Sequence, residues 1–201
     1  MEIGKSWDDN PWVWVVKFSR IPGPLKGKKE RPILLSTPMV EAILEGRKTQ
    51  TRRALKPQPD LMVDDPAHPL KHVPCIFKKG MAASIPCPYG QAGDILWVRE
   101  SWAVTGTEYM YKVDKQPHIQ GIIKWKPSIF MPKKASRIWL HVEDIRVERL
   151  QDISEADAKS EGVEPVKLPG YSTLYRDYRG TPGHWVFAGA SFRTLWISLN
   201  G

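Results

Sequence analysis

One stretch near the start of the chain limits the possible folds more than any other. The run WVWVVKFS, residues 12–19, has the length of a strand and stays apolar on both faces until Lys17. A strand with one face in water alternates apolar and polar residues, whereas a strand covered on both faces is a continuous apolar run. The sequence therefore predicts a strand in the interior of a sheet.

A second strand pattern, ILWVRESW at residues 95–102, carries a carboxylate on its apolar face. Alternation places Glu100 and Trp102 on the same side as Leu96 and Val98. An unpaired carboxylate at the edge of a core is costly, so we expect a cationic partner for Glu100, such as Arg53.

A third strand pattern, RIWLHVEDIRVERL at residues 137–150, changes phase in its middle. Ile138, Leu140 and Val142 alternate regularly, and the apolar positions then shift by one at Glu143 and Asp144. A shift of one residue inside a strand is typical of a β-bulge, so the sequence predicts a bulge at this point.

Three short helices complete the predicted elements. The first has Thr37 as its N-cap, Pro38 in the first helical position and Gly46 as its stop. The second lies within residues 154–162, and the third runs from Phe192 to the end, with apolar residues at helical spacing. Because strands outnumber helices and do not alternate with them regularly, we predict one α+β domain over residues 1–201, a small closed sheet flanked by helices.

Two segments lack the pattern of regular structure. Residues 21–31, IPGPLKGKKER, have the composition of a linker, and residues 56–91 contain seven prolines and are predicted to be a long insertion. The insertion also contains four side chains of the types that bind zinc: His68, His72, Cys75 and Cys87. Their spacing matches no established zinc pattern, so we expect ordinary loop packing, no metal site and no cofactor.

Composition narrows the class of partner. The net charge is +8, the pI is about 9.5 and the chain has nine tryptophans, which suits phosphate contacts and base stacking. The chain lacks an apolar run of about 18 residues, so we expect no membrane span. Its first residues do not resemble a secretory signal, and the two cysteines are too few for a disulfide framework, so we expect a cytoplasmic monomer.

The segment GRKTQTRRAL, residues 46–55, gathers cations and threonines where the first helix ends. Because Gly46 stops the helix, the chain must turn between Lys48 and a strand that begins near Thr51. In that strand Thr51 and Arg53 point one way and Arg52 points the other way. Lys48, Thr51 and Arg53 are therefore predicted to converge, although a basic turn whose threonines only satisfy backbone groups would leave the same pattern.

The spacing G-x-K-x-x-T-x-R, from Gly46 to Arg53, resembles the signature of the ASCH-domain family, a branch of the PUA-like β-barrel superfamily. The resemblance covers most of the chain through four blocks similar to the larger members found in bacteria and prophages: RPILLSTPMVEAILEGRKTQTRR, CPYGQAGDILWVRESW, WKPSIFMPKKASRI and ERLQDISEADAKSEGV. It implies a PUA-like barrel. One departure is Phe130, which stands where the family's segment has a histidine.

The resemblance implies a cleft beside the first helix that binds RNA or a modified base. Small members suggest hydrolysis of the acetyl amide of N4-acetylcytidine, with catalytic positions that fall on Lys48, Thr51 and Glu161 in this chain. Two alternatives remain open, a non-catalytic module that binds nucleic acid and a ribonuclease specific for single strands. The residues expected to contact nucleic acid are Arg52, Arg53, Arg99, Glu100 and Trp102.

Two mechanisms of amide hydrolysis fit these residues. In the first, a neutral Lys48 activates the Thr51 hydroxyl, which requires lowering the lysine pKa from about 10.4 toward 7–8. In the second, a salt bridge keeps Lys48 an ammonium, Glu161 activates a water, and Thr51 only positions the substrate. For RNA binding, if Lys48, Arg52, Arg53 and Arg99 rim one cleft, the slope of log affinity against log salt should be about −2 to −3.5.

The order of the segments predicts a circular permutation. In the family, a segment like FRTLWISLNG is followed after a short join by one like GKSWDDNPWVWVVKF, whereas here the first closes the chain and the second opens it. We therefore expect residues 1–20 to supply a displaced terminal strand, by natural or engineered rearrangement. Met1 and Gly201 should then lie within reach of a short loop.

Overall fold

The computed structural model of the chain describes residues 6–114, 123–180 and 183–200. The strands are β1 (Trp12–Ile21), β2 (Glu30–Leu34), β3 (Gln50–Ala54), β4 (Leu61–Asp64), β5 (His72–Lys78), β6 (Met81–Ser84), β7 (Ile95–Arg99), β8 (Trp102–Thr105), β9 (Glu108–Tyr111), β10 (Trp139–Arg149), β11 (Pro165–Val166), β12 (Leu174–Arg176) and β13 (His184–Trp185). The α-helices are α1 (Thr37–Leu44), α2 (Glu155–Ser160) and α3 (Ala188–Asn200). The mixed α+β class is confirmed.

The central sheet has the strand order β2-β7-β10-β1-β3. Strand β1 pairs with β10 on one side and with β3 on the other, as its two-sided apolar pattern predicts. Trp14 and Val16 face the larger core, which α1 covers, while Val13 and Val15 face a second core formed with α2 and α3. The burial of both faces explains why this strand carries almost no polar residue.

The predicted β-bulge is present where the apolar phase changes. Lys17 lies opposite Asp144, but the next residue, Phe18, lies opposite Val142. Glu143 is therefore the extra residue of β10, and the apolar side chains on both sides of it still face the cores.

The central sheet is strongly curved. The Arg53 guanidinium, on the edge strand β3, donates a hydrogen bond of 2.9 Å to the carbonyl oxygen of Leu34 on the opposite edge strand β2. One arginine side chain therefore spans the gap between the two edges. Among the described strands β2 and β3 do not pair, so the predicted closed sheet is not seen.

Two local predictions need correction. The strand expected over residues 95–102 ends at Arg99, and Trp102 begins the separate β8–β9 hairpin. The N-cap of α1 is Ser36 rather than Thr37, so the helix begins one residue earlier than expected. Both errors concern element ends, where local preferences are weakest.

The proline-rich insertion is folded. Strands β4, β5 and β6 form a three-stranded antiparallel sheet, and Ile85 at its end is buried in the larger core. Proline removes a backbone donor, which confines it to positions that need none. The segment escaped prediction as a sheet because its strands are short and its prolines interrupt the alternation.

The beginning of the described chain lies against the last helix. The rings of Trp7 and Phe192 meet edge to face with centroids 6.3 Å apart, and Asp8 lies 3.7 Å from Arg193. The expected proximity of Met1 and Gly201 concerns residues outside the described ranges.

Candidate functional site

The end of α1 positions Lys48. Gly46 adopts a φ of +75°, its N–H donates to Ile43 O at 3.0 Å, and the Arg47 N–H donates to Ala42 O at 2.8 Å. This pair of bonds is a Schellman motif, which reverses the chain at a helix end. Lys48 is thereby placed beside the end of α2.

A second helix end meets the first at this point. Glu161 caps α2 and forms an antiparallel bridge with Lys48, next to a bond of 2.9 Å from the Thr49 N–H to Ser160 O. The following residue, Gly162, has a φ of +88°, and a Cβ there would lie 2.8 Å from the Lys48 Cβ. The close approach of the two segments therefore requires glycine.

The Lys48 ammonium is buried and fully hydrogen-bonded. Nζ donates to Gln50 O at 2.7 Å, to Glu161 O at 2.9 Å and to Glu161 Oε2 at 3.0 Å. An ammonium has three hydrogens, and all three are used here. Burial lowers the pKa of Lys48 from its usual value, and the ion pair with Glu161 offsets part of that effect.

Arg52 completes this cluster of charges. Its NH1 donates to Glu161 Oε1 at 3.0 Å, its NH2 donates to Asp157 Oδ2 at 3.0 Å, and its Nε donates to Glu148 Oε1 at 3.1 Å. Burial alone would lower the pKa of Arg52, but Glu161 and Glu148 raise it above its usual value. Arg146 extends the cluster through Asp157, 2.7 Å away. We call Lys48, Arg52, Glu148, Asp157 and Glu161 the charge cluster.

The predicted convergence is therefore only partly correct. Arg52 lies opposite Val15 in the sheet and Thr51 lies opposite Val16, so the two side chains point to opposite faces, as strand parity predicts. However, the carboxylate that binds Lys48 also binds Arg52. The expectation that Lys48 is gathered with Thr51 and Arg53, away from Arg52, is wrong in this respect.

Thr51 shares a small cavity with Lys48 and Glu161. This cavity of about 50 Å³ runs beside the β3 edge between α1 and α3. A water molecule occupies about 30 Å³ in the liquid, so one or two waters fit and a pyrimidine ring does not. The three predicted catalytic residues therefore line one pocket, but that pocket holds only a small group in this conformation.

A larger cavity of about 460 Å³ adjoins the small one. Arg53, Ala54, Leu199 and Asn200 line both cavities, so the two meet beneath the last turn of α3. The larger cavity is lined in addition by Trp14, Lys56, Ile85, Pro86, Pro88 and Tyr89. Sequence reasoning missed Tyr89 and Lys56, because only the folding of the insertion brings Tyr89 to the edge of β3.

Glu100 has a partner other than the one expected. Arg137 binds it with both ends of the guanidinium, Nε to Oε1 at 3.1 Å and NH2 to Oε2 at 3.2 Å, and also binds Asp114. Burial raises the pKa of Glu100, which Arg137 partly counteracts. The prediction of Arg53 as partner is wrong, because β7 ends before Glu100 and the chain turns toward the segment that carries Arg137.

The other predicted contacts with nucleic acid divide into buried and surface residues. Trp102 is 6% exposed and packs against Met131 and Ala135, so it offers no free ring face to a base. Arg52 has no exposed side-chain surface and is likewise unable to reach a phosphate. Arg99 and Arg53 are half-buried, with their guanidinium groups at the surface. The expectation of one cleft rimmed by all the cations is therefore corrected.

The zinc alternative finds no support in the geometry. His72 pairs with Asp64 at 2.7 Å, and the Cys75 thiol lies 3.7 Å from Val73 O. Burial raises the pKa of Cys87 to about 11. Within the part of the chain that the structure describes, no three His, Cys, Asp or Glu side chains are grouped closely enough to hold a metal ion.

Comparisons with known proteins add no relative. No protein-family model, no curated protein and no solved structure matches this chain. Over the described ranges, no helix has the length and apolar character needed to cross a membrane.

The first prediction tests the contact between the two helix ends. Gly162→Ala should destabilise the fold by the cost of a left-handed alanine, about 1–2 kcal/mol, plus about 1–3 kcal/mol for overpacking against Lys48. Gly170→Ala is the matched control, because Gly170 has a φ of +80° and no atom within 4 Å of an added Cβ. Urea unfolding followed by tryptophan fluorescence measures both variants. Equal losses would show that the close approach contributes nothing.

The second prediction tests the charge cluster. Glu161→Gln leaves Lys48 and Arg52 as neighbouring buried cations, so it should cost about 3–5 kcal/mol of unfolding free energy. Lys48→Met leaves Glu161 paired with Arg52 and should cost less, about 1–3 kcal/mol, from two unsatisfied carbonyl groups. The double variant should cost less than the sum of the two, because the second change removes a cation that the first left unpaired. Additive costs would refute the coupling.

Proposed function

We propose that this protein is an RNA-binding module of the PUA-like, ASCH type, which holds a base of a single strand at the edge of β3. The observation that carries the proposal is the larger cavity, in which Arg53 and Lys56 lie beside the aromatic rings of Tyr89 and Trp14. Its volume of about 460 Å³ falls within the usual range of ligand sites, about 300–1,000 Å³. Cations beside aromatic rings suit a phosphate and a base together.

The fold is compatible with this proposal. A curved five-stranded sheet whose edges are bridged by Arg53, with α1 between the edge strands, is close to a small barrel. We propose that it is a PUA-like barrel in which β1 is the displaced terminal strand. The contact of Trp7 with Phe192 supports the permutation, because it places the start of β1 beside the helix that would precede it in an unpermuted chain.

Amide hydrolysis is a second candidate, favoured by one observation. Lys48, Thr51 and Glu161 line the same small cavity, and burial lowers the pKa of Lys48. However, all three Lys48 hydrogens are bound to protein oxygens, so its nitrogen has no free lone pair with which to activate Thr51. If the reaction occurs, the route through a water and Glu161 fits this arrangement better than the threonine route.

The third prediction concerns RNA binding. Lys48 and Arg52 are buried and paired, so about three surface cations remain for phosphate contacts: Arg53, Lys56 and Arg99. The slope of log affinity against log salt for a single-stranded oligoribonucleotide should then be about −2, the shallow end of the range expected from sequence. Arg53→Ala should weaken binding and reduce the slope to about −1.4. Fluorescence anisotropy of a labelled strand of about eight nucleotides measures both quantities.

The control for this measurement is Lys26→Ala, which removes one exposed charge from the linker and lines none of the cavities described above. It should leave affinity and slope within error of the unmodified protein. Equal effects of Arg53→Ala and Lys26→Ala, or a slope near zero, would refute the cavity as the RNA site.

The fourth prediction concerns the chemistry. Incubation with N4-acetylcytidine should show whether acetate is released, and Thr51→Val removes the hydroxyl while keeping the side-chain volume. We expect any acetate release to persist in Thr51→Val, because Lys48 is held as an ammonium. Loss of activity in Thr51→Val, its retention in Thr51→Ser and a trapped acyl group on Thr51 would establish the threonine route instead.

A further inference from the structure

A basic and aromatic segment lies outside both cavities. Residues 123–134, IKWKPSIFMPKK, contain four lysines, two aromatic residues and no acidic residue. Two of the apolar side chains are largely in water, since Ile129 is 58% exposed and Phe130 is 68% exposed. A large apolar side chain with this exposure, surrounded by cations, is a feature of a contact surface.

The backbone of this segment is held in place, so Phe130 is directed outward by the fold. Met131 and Ala135 are buried against Trp102. Trp102 and Lys126 exchange two backbone hydrogen bonds, of 2.7 and 3.2 Å, and the Tyr111 hydroxyl donates to Ala135 O at 2.7 Å. Because the neighbouring residue Met131 points into the core, Phe130 has no position inside the described structure.

A set of cations surrounds Phe130. Lys124, Lys126 and Lys134 are exposed, while Lys133 is paired with Glu30. The Arg99 guanidinium donates to the carbonyl oxygen of Ile129, which places it directly beside Phe130 in the chain. The exposed ring therefore lies among positive charges that are mostly uncompensated by carboxylates.

This surface is continuous with the larger cavity. Leu34 lies beside Arg99 in the parallel pairing of β2 with β7, and the Leu34 carbonyl oxygen accepts the hydrogen bond from Arg53. Arg53 at the cavity and Arg99 near Phe130 are thus separated by a single residue of the intervening strand. A polyanion bound at Arg53 can reach Arg99 without crossing an acidic side chain of these strands.

We infer that Arg99, Phe130 and the lysines at positions 124, 126 and 134 form a second contact surface for the same RNA strand. Phe130 stacks on a base outside the cavity, and the cations contact the flanking phosphates. This inference rests on the proposed function, and it names the ligand as a strand of several nucleotides rather than a free nucleoside. A second copy of this chain is the less suitable occupant, because its net charge is also +8.

Two ligands test this surface separately from the cavity. Cytidine 5′-monophosphate reports on the cavity alone, and a single-stranded oligoribonucleotide of about eight nucleotides reports on both. Phe130→Ala should weaken oligonucleotide binding about tenfold, within the range of one lost base stack, and leave mononucleotide binding unchanged. Phe130→Tyr should restore the affinity, because a phenol ring also stacks. Arg99→Ala should reduce the salt slope by about 0.7.

Two control variants distinguish stacking from general apolar contact. Ile129→Ala removes a neighbouring exposed side chain that has no ring, and Phe77→Ala removes a ring that is 58% exposed on β5 of the insertion. Both should bind the oligonucleotide like the unmodified protein. All these side chains are exposed, so thermal unfolding should change little.

Unchanged oligonucleotide affinity in Phe130→Ala, together with weakened binding in Arg53→Ala, would overturn the second surface and leave the cavity proposal intact. Equal losses in Ile129→Ala and Phe130→Ala would overturn stacking. Self-association of the unmodified protein that Phe130→Ala abolishes would assign the surface to a second copy instead. Failure of the unmodified protein to bind either ligand would refute the proposed function itself.

Discussion

The ion pair between Lys48 and Glu161 is the contact on which the described site depends. It joins the ends of α1 and α2, and Arg52 ties the same carboxylate to strand β3. Each charge in this cluster is far from water, so each requires the others, since an unpaired buried charge is strongly destabilising. The close approach of backbones at Gly162 adds a steric condition to this electrostatic one. Elements that are distant in sequence are thereby held in one arrangement beside the β3 edge.

This arrangement divides the cations of one short motif between two roles. Lys48 and Arg52 are buried and neutralised by carboxylates, so they act on the shape of the cavities rather than on a ligand directly. Arg53, the next residue in the strand, points to the opposite face and reaches the surface, where it lines the larger cavity. Neighbouring arginines therefore differ in function because alternate residues of a strand face opposite ways. Any ligand contacts Arg53 first, and the charge cluster sets where Arg53 stands.

Local sequence patterns predicted the elements better than their partners. The apolar run of β1, the phase change at Glu143 and the Ser154 cap of α2 were predicted because each depends on neighbouring residues only. The partner of Glu100 was predicted wrongly, because Arg137 is distant in the chain and nothing near Glu100 indicates it. Glu148 and Asp157 were not predicted as partners of Arg52 for the same reason. Trp102 was predicted at a cleft from strand parity, but the strand ends at Arg99 and the parity no longer applies.

The sequence by itself determined the α+β class, an interior first strand, the turn after Gly46 and the set of residue types near Lys48. It also determined that Arg52 and Arg53 face opposite ways, since strand alternation is a property of the backbone. Only the tertiary structure decided which carboxylate neutralises which cation, and that the proline-rich insertion folds to bring Tyr89 to the edge of β3. The physical reason is that helix caps, bulges and alternation arise within a few residues, whereas a buried charge is stabilised by whichever opposite charge the packing of distant segments places beside it.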